Sequence, residues 1–160
     1  MAAKKGYEGI GALLARPSII AKYAEPYSKT LKPHDAGRHF IQFIDYDSAI
    51  SRDHLYAACI NASVAFSEGT NIARSIGMEV LLFIAMTKQI SEAIRIAGAK
   101  EGRRFIILCD DEGLYKPLER SIPNAKDFFT NKNASSIASS YGVSGSTASI
   151  MEKMAASRLF

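Results

Sequence analysis

The spacing of apolar residues predicts two helices in the middle of the chain, between Asn71 and Gly98. The longest uninterrupted apolar run, Val80 to Met86, predicts a helix that is buried on several sides. A second apolar periodicity begins at Ile90 and predicts a shorter helix. The residues between the two helices are polar, and polar groups that are wedged between two buried helices must be either hydrogen bonded or used in function.

Strands and further helices are predicted on both sides of this pair. Apolar residues alternate with polar ones from His39 to Asp45, which predicts a strand. A second strand is predicted from Arg103 to Asp110, because Phe105 to Cys109 is an unbroken apolar run. Ser51 is a suitable N-cap for a helix that ends at Gly69, and Pro17 to Thr30 suggests a short helix. Because strands and helices do not alternate strictly, we expect an α+β fold. It would be a small mixed sheet of about three to four strands flanked by about six to eight helices, in a single domain over residues 1–160.

Composition and charge narrow the class of protein only modestly. The 160 residues are 48% hydrophobic and carry a formal net charge of +4, which permits nucleic-acid binding without requiring it. Cys59 and Cys109 stand singly among apolar residues, so we expect reduced core thiols and no zinc site. The N-terminus lacks the apolar segment of a secretory signal, and Val80 to Met86 is far shorter than the ~20 residues of a membrane span. We therefore expect a soluble, cytoplasmic protein without a membrane partner.

Few residues form a pattern that is typical of catalysis. The acidic cluster Asp110, Asp111 and Glu112 follows a predicted strand and could hold Mg²⁺, although such residues more often cap the next helix, which we predict from Glu112 to Ser121. The histidines are scattered, and no nucleophile motif is present. We therefore predict a protein that is not an enzyme and that uses no cofactor and no metal, with a metal-dependent small-molecule-binding domain as an alternative.

Donor and acceptor side chains at the ends of the central helix indicate a possible RNA contact. These residues are Asn71, Arg74, Lys88 and Gln89. A sparse cationic groove with amide groups suits a flexible single strand, where phosphates and base edges are both within reach. The alternative is that they are solvated groups at helix ends.

From His54 to Gly102 the chain resembles a known family. The resemblance rests on His54-Leu55 at a helix start, Asn71-Ile72-Ala73-Arg74-Ser75, Glu79 before an apolar run, Lys88-Gln89-Ile90, Ala93-Ile94 and Gly98. In this order and spacing they are similar to the small accessory subunit of the KEOPS (EKC) complex, the TPRKB-like family, and suggest an archaeal member. The chain departs from the family at Met86, where a glycine is usual, and at Lys88, where an arginine is usual.

The resemblance implies a non-catalytic subunit of a complex that installs threonylcarbamoyl on a tRNA adenosine next to the anticodon. Family members dock directly on the PRPK-type, kinase-like ATPase subunit. The catalytic threonylcarbamoyl transferase subunit would then be an indirect partner in the same complex. Archaeal members help to recruit tRNA through its single-stranded 3′ CCA end, and we assign that contact to Asn71, Arg74, Lys88 and Gln89. The alternative is a purely structural adaptor without RNA contact.

The terminal helix, Thr147 to Leu159, is the predicted docking surface for the kinase-like subunit. Its broad apolar face carries Ile150, Met151, Met154 and Leu159. Flexible methionines next to an apolar C-terminus suit a groove on a partner. The alternative is that this face closes the protein's own core.

Overall fold

A computed structural model describes residues 19–25, 34–36, 39–122, 124–144 and 147–158. Its strands are β1 (Ile20–Ala24), β2 (His34–Ala36), β3 (His39–Asp45), β4 (Phe105–Cys109) and β5 (Lys126–Asp127). Its α-helices are α1 (Arg52–Glu68), α2 (Ile76–Ala85), α3 (Ile90–Ala97), α4 (Glu112–Ser121), α5 (Ala134–Ser140) and α6 (Thr147–Ala156), and a 3₁₀-helix spans Tyr46–Ser48. The predicted α+β class and the number of helices are confirmed.

The strands form one sheet in the order β2-β3-β4-β1-β5. All of its pairings are antiparallel, so the expectation of a mixed sheet is wrong in this respect. The reason lies in the long connection through α1, α2 and α3, which returns the chain to the end at which β3 finished. Asp45, the last residue of β3, accordingly pairs with Phe105, the first residue of β4. The two strands at the edges of the sheet are short, β2 with three residues and β5 with two.

Strand β4 lies at the centre of the sheet and faces helices on both sides. Ile106 and Leu108 pack into the core cluster that contains α1, α2 and α3, whereas Phe105, Ile107 and Cys109 pack in the cluster with α4. All five of its residues are buried, as an uninterrupted apolar strand predicts. The sheet is therefore the middle of three layers.

The central helical pair is confirmed. Ser75 caps α2 by accepting a hydrogen bond from the Met78 N–H, at 3.4 Å. Every residue of α2 from Val80 onward is buried, whereas α3 buries only Ala93 and Ala97 and exposes its opposite face. The two cysteines are free and buried, and burial raises the pKa of Cys109 to about 11 and that of Cys59 further. No helix in the described part of the chain is long and apolar enough to cross a membrane.

The N-terminal prediction needs one correction. The short helix predicted for Pro17 to Thr30 is wrong over Ile20–Ala24, which form strand β1. This segment pairs with β4 on one side and with β5 on the other, so its conformation is set by partners that are distant in sequence. Parts of the predicted helix lie outside the described residues.

Candidate nucleic-acid interface and docking surface

A buried carboxylate fixes the backbone of the loop before α2. Glu79 in the first turn of α2 is 0% exposed. Its Oε2 accepts hydrogen bonds from the backbone N–H groups of Ile72, at 3.0 Å, and Ala73, at 2.7 Å. Backbone donors to an ionised carboxylate form charge-assisted bonds, which are stronger than neutral ones. The loop of residues 71–75 is therefore held in one position by the helix that follows it.

The same carboxylate binds the end of the described chain. The Arg158 Nη2 donates to Oε1 of Glu79 at 2.6 Å, and the arginine side chain is only 17% exposed. The guanidinium carbon also lies 4.1 Å from the centroid of the Phe83 ring, a favourable cation–π position. Arg158 lies in the turn that follows α6, so this ion pair connects that turn to α2.

Held in this way, the loop presents a cation and an apolar side chain to solvent. The Asn71 Nδ2 donates to the Ala73 carbonyl oxygen at 2.9 Å, and the residue is half-buried. Arg74 is exposed, and Ile72 is 41% exposed. The combination of a planar cation, an amide and an apolar surface can contact both the phosphates and the bases of a single strand.

At the other end of α2, Met86 adopts the left-handed conformation that favours glycine. Its φ is +55° and its ψ is +44°, and among the described non-glycine residues no other φ is positive. The Met86 N–H donates to the carbonyl groups of Leu82 and Phe83, which ends the helix. The chain therefore keeps the turn for which a glycine is expected. Lys88 and Gln89 follow it, and both are exposed.

The four predicted RNA contacts do not form one compact site. Asn71 and Arg74 precede α2, whereas Lys88 and Gln89 follow it, so the ten residues of α2 separate the two pairs by about 15 Å. Three stacked nucleotides, with a rise of about 3.4 Å per step, extend over only about 7 Å. A three-nucleotide end that stays stacked can therefore reach only one pair, which leaves the other pair to more distant nucleotides.

The structure corrects the predicted docking surface for two of its four residues. Ile150 and Met154 are 0% exposed and pack in the core clusters of this chain, so their side chains are already covered. This is the alternative in which the face closes the protein's own core. Met151, on the other side of α6, is 42% exposed and can meet a partner. Leu159 lies outside the described residues.

The acidic cluster after β4 caps a helix and orders a strand. Asp111 accepts a hydrogen bond from the Leu114 N–H at 3.1 Å and so forms the N-cap of α4. Asp110 accepts from the Phe40 N–H at 2.8 Å. Within the described ranges no group of three or more histidine, cysteine, aspartate or glutamate side chains is placed to hold a metal ion. Asp111 therefore has the helix-capping role that was the alternative to metal binding.

Three residues of this region have a structural role that the sequence-based prediction does not assign to them. Glu79 stands alone before an apolar run, and a buried carboxylate requires donors, so its structural role could have been inferred. Arg158 offers no such signal, because it lies 79 positions from Glu79. Ile72 gives none either, since an isolated isoleucine in a loop does not reveal its exposure.

Comparison with known proteins connects the chain to one family. The family model described as "Kinase binding protein CGI-121" matches residues 28–156. A curated relative, the KEOPS complex subunit Cgi121 of Pyrococcus abyssi, is 45% identical over 60 residues, which are 38% of this chain and 35% of the relative. The matched segment thus spans about a third of that relative's length.

Proposed function

We propose a function from the premise that this chain belongs to the CGI-121 family of kinase binding proteins. The chain acts as a non-catalytic subunit of a KEOPS-type complex and binds the kinase-like ATPase subunit directly. The threonylcarbamoyl transferase subunit is its indirect partner, and tRNA modification in the cytoplasm is the process that the assembly serves. The family description and the name of the Pyrococcus relative support this assignment. We propose that residues 1–160 form a single domain that performs this role.

The chain also helps to recruit tRNA by its 3′ CCA end, with the loop of residues 71–75 as the primary contact. The observation that carries this proposal is the exposed Arg74 on a backbone that Glu79 holds in place. A guanidinium can bind a phosphate with two parallel hydrogen bonds, which a lysine ammonium cannot do. Asn71 and Ile72 beside it offer an amide and an apolar surface to a base. Lys88 and Gln89 contact nucleotides farther along the strand.

Binding measurements with two tRNA substrates test this assignment. Intact tRNA and tRNA that lacks its 3′ CCA are titrated against the unmodified chain and the variants R74A and K88A. We expect R74A to weaken binding of intact tRNA to the level of trimmed tRNA. The slope of log affinity against log salt should become shallower by about 0.7 for each phosphate that the variant no longer neutralises. K88A should weaken both substrates to a similar extent.

K116A is the matched control, because Lys116 is exposed on α4, in the layer on the other side of the sheet. It removes the same charge and should leave both affinities unchanged. If trimming the CCA leaves the affinity of the unmodified chain unchanged, the recruitment proposal is wrong. Retained binding to the kinase-like subunit in that case would favour the structural adaptor without RNA contact.

The exposed side of α6 is the proposed docking surface, with Met151 in the described part and Leu159 beyond it. M151R places a charge where a partner would cover an apolar side chain, so we expect at least about tenfold weaker binding of the kinase-like subunit. Thermal stability should be preserved, because Met151 is 42% exposed. Unchanged binding by M151R would remove this face from the interface. M154R cannot serve this purpose, since Met154 is fully buried and the variant should unfold.

A further inference from the structure

A cavity of about 890 Å³ opens at the end of the sheet where β1 finishes and β4 begins. Its size falls in the range of roughly 300–1,000 Å³ that is typical of small-molecule sites. Among its described lining residues none belongs to the loop of residues 71–75 or to the junction after α2. The cavity is therefore separate from the surfaces assigned above.

One wall of the cavity combines aromatic rings with a guanidinium. The rings of Tyr23 and Tyr46 meet edge to face, with centroids 5.5 Å apart. The guanidinium carbon of Arg104 lies 5.0 Å from the Tyr46 centroid and 5.8 Å from the Tyr23 centroid. The Arg104 side chain is 44% exposed and also pairs with Glu25 at 2.9 Å. Nucleobases stack on planar groups of this kind, both aromatic rings and arginine guanidinium planes.

A buried amide connects the opposite wall of the cavity to the first wall. Asn131 is 1% exposed, and its Nδ2 donates to the Tyr46 carbonyl oxygen at 2.9 Å. Its Oδ1 accepts from the Asn133 N–H at 2.8 Å, so the turn that carries Lys132 is fixed against Tyr46. Buried Phe128 packs edge to face on Tyr46, with centroids 5.7 Å apart. The shape of the site is therefore established before any ligand binds.

The charges that line the cavity favour an anion. The described lining residues include three cations and one carboxylate. The cations are Arg104, Lys126 and Lys132, and the carboxylate is that of Glu25. Lys126 and Lys132 are exposed and have no ion-pair partner in the part of the chain that the structure describes. Asp127 does not neutralise its neighbour, because it pairs with Lys22 at 3.0 Å.

We propose that this cavity binds a nucleoside phosphate, either a free mononucleotide or the end of an RNA strand. The base stacks on the Arg104 guanidinium, which the two tyrosine rings support. The phosphate binds between Lys126 and Lys132. The amides of Asn124 and Asn133, which also line the cavity, contact the edge of the base. This site does not depend on the proposed role of the loop at residues 71–75.

Calorimetric titration of the full chain with AMP, adenosine, inorganic phosphate and a short oligoribonucleotide tests the proposal. We expect AMP to bind saturably, and adenosine and phosphate each to bind at least about tenfold more weakly. The double variant K126A/K132A should lose at least about tenfold in AMP affinity, since it removes two charge-assisted bonds. R95A/K116A removes the same charge from exposed residues that belong to neither proposed site, and it should bind AMP as the unmodified chain does.

A conservative variant separates stacking from charge. R104K keeps the positive charge but loses the planar group. The ratio of the affinity for AMP to the affinity for inorganic phosphate should therefore fall toward one. AMP binding comparable to that of the oligonucleotide would identify a free nucleotide as the ligand, whereas a much tighter oligonucleotide would identify an RNA end. Both outcomes uphold the proposal.

Three results would overturn it: no saturable AMP binding, equal affinity for AMP and phosphate in the unmodified chain, or equal effects of the two double variants. R74A keeps this test distinct from that of the tRNA contact. It should leave AMP affinity unchanged, so either site can fail while the other stands.

Discussion

The substitution Glu79→Gln removes a buried negative charge while the shape of the side chain is almost unchanged. In the native chain the carboxylate accepts from the N–H groups of Ile72 and Ala73 and from the Arg158 guanidinium. An amide has only one oxygen, and its NH₂ group must then face a donor. Either the loop or the arginine therefore loses its acceptor, and Arg158 becomes a buried cation without a counter-charge.

The expected loss of stability follows from burial. Removing one partner of a buried ion pair costs about 3–5 kcal/mol, because the other charge is left uncompensated. The lower end applies here, since the amide oxygen still accepts one hydrogen bond, so we expect a loss of about 3 kcal/mol. Glu79 is 0% exposed and Arg158 is 17% exposed, so solvent screening reduces this value little. A total stability of about 5–15 kcal/mol would leave the variant folded but clearly weakened.

Urea unfolding measures this loss as a lower midpoint with an unchanged slope. Glu92→Gln is a matched control: Glu92 also lies in the first turn of a helix, α3, and also pairs with an arginine, Arg95, but at the surface. Both substitutions remove the same favourable interaction of a carboxylate with a helix dipole, so this contribution cancels in the comparison. The control should therefore lower the free energy of unfolding far less than E79Q does. If the two variants are equally stable, the buried ion pair does not hold the loop. E79Q should also weaken binding of intact tRNA, because the backbone that positions Arg74 is released.

Three further measurements probe the fold. At Met86 the left-handed backbone favours glycine, so M86G should be more stable than M86A by about 1 kcal/mol, and equal urea midpoints would contradict the strain. Burial lowers the pKa of His54 from 6.5 to about 4. As the pH falls between these two values, His54 is therefore protonated in the unfolded chain but not in the folded one. The contribution of neutral His54 to the free energy of unfolding should be fully present above pH 6.5. It should fall by up to about 1.4 kcal/mol per pH unit as the pH is lowered toward 4. An H54N variant should lack this dependence, and equal pH profiles would contradict it. M154A should cost about 2–5 kcal/mol and M151A much less, whereas similar losses would contradict the core position of Met154.

Segments whose local pattern agrees with their environment could be predicted from the sequence. The strand at His39–Asp45 and the helix at Glu112–Ser121 have the predicted bounds. The strand follows from the alternation of its residues and the helix from the acidic residues at its start, and tertiary contacts reinforce both local preferences. Strand β1 lacked this agreement, because its conformation depends on backbone pairing with β4 and β5.

The docking surface shows a different limit of sequence reasoning. The periodicity of α6 identified an apolar face, and Ile150 and Met154 are indeed fully buried. A periodic pattern shows that a face is covered, but it does not distinguish the protein's own core from a partner. For the candidate RNA contact, the sequence identified the exposed groups. It could not show that α2 separates them into two pairs.

The buried ion pair also determines which variants can separate the two proposed roles. Arg158 follows α6, which carries the proposed docking surface, and through Glu79 it holds the loop that carries Arg74. A substitution of Arg158 would therefore disturb both surfaces, and loss of either activity in such a variant would not identify the contact responsible. Met151 and Arg74 are exposed and do not belong to this network, so each can be changed alone. If M151R also lost tRNA binding, or R74A also lost binding of the kinase-like subunit, the two surfaces would have to be one.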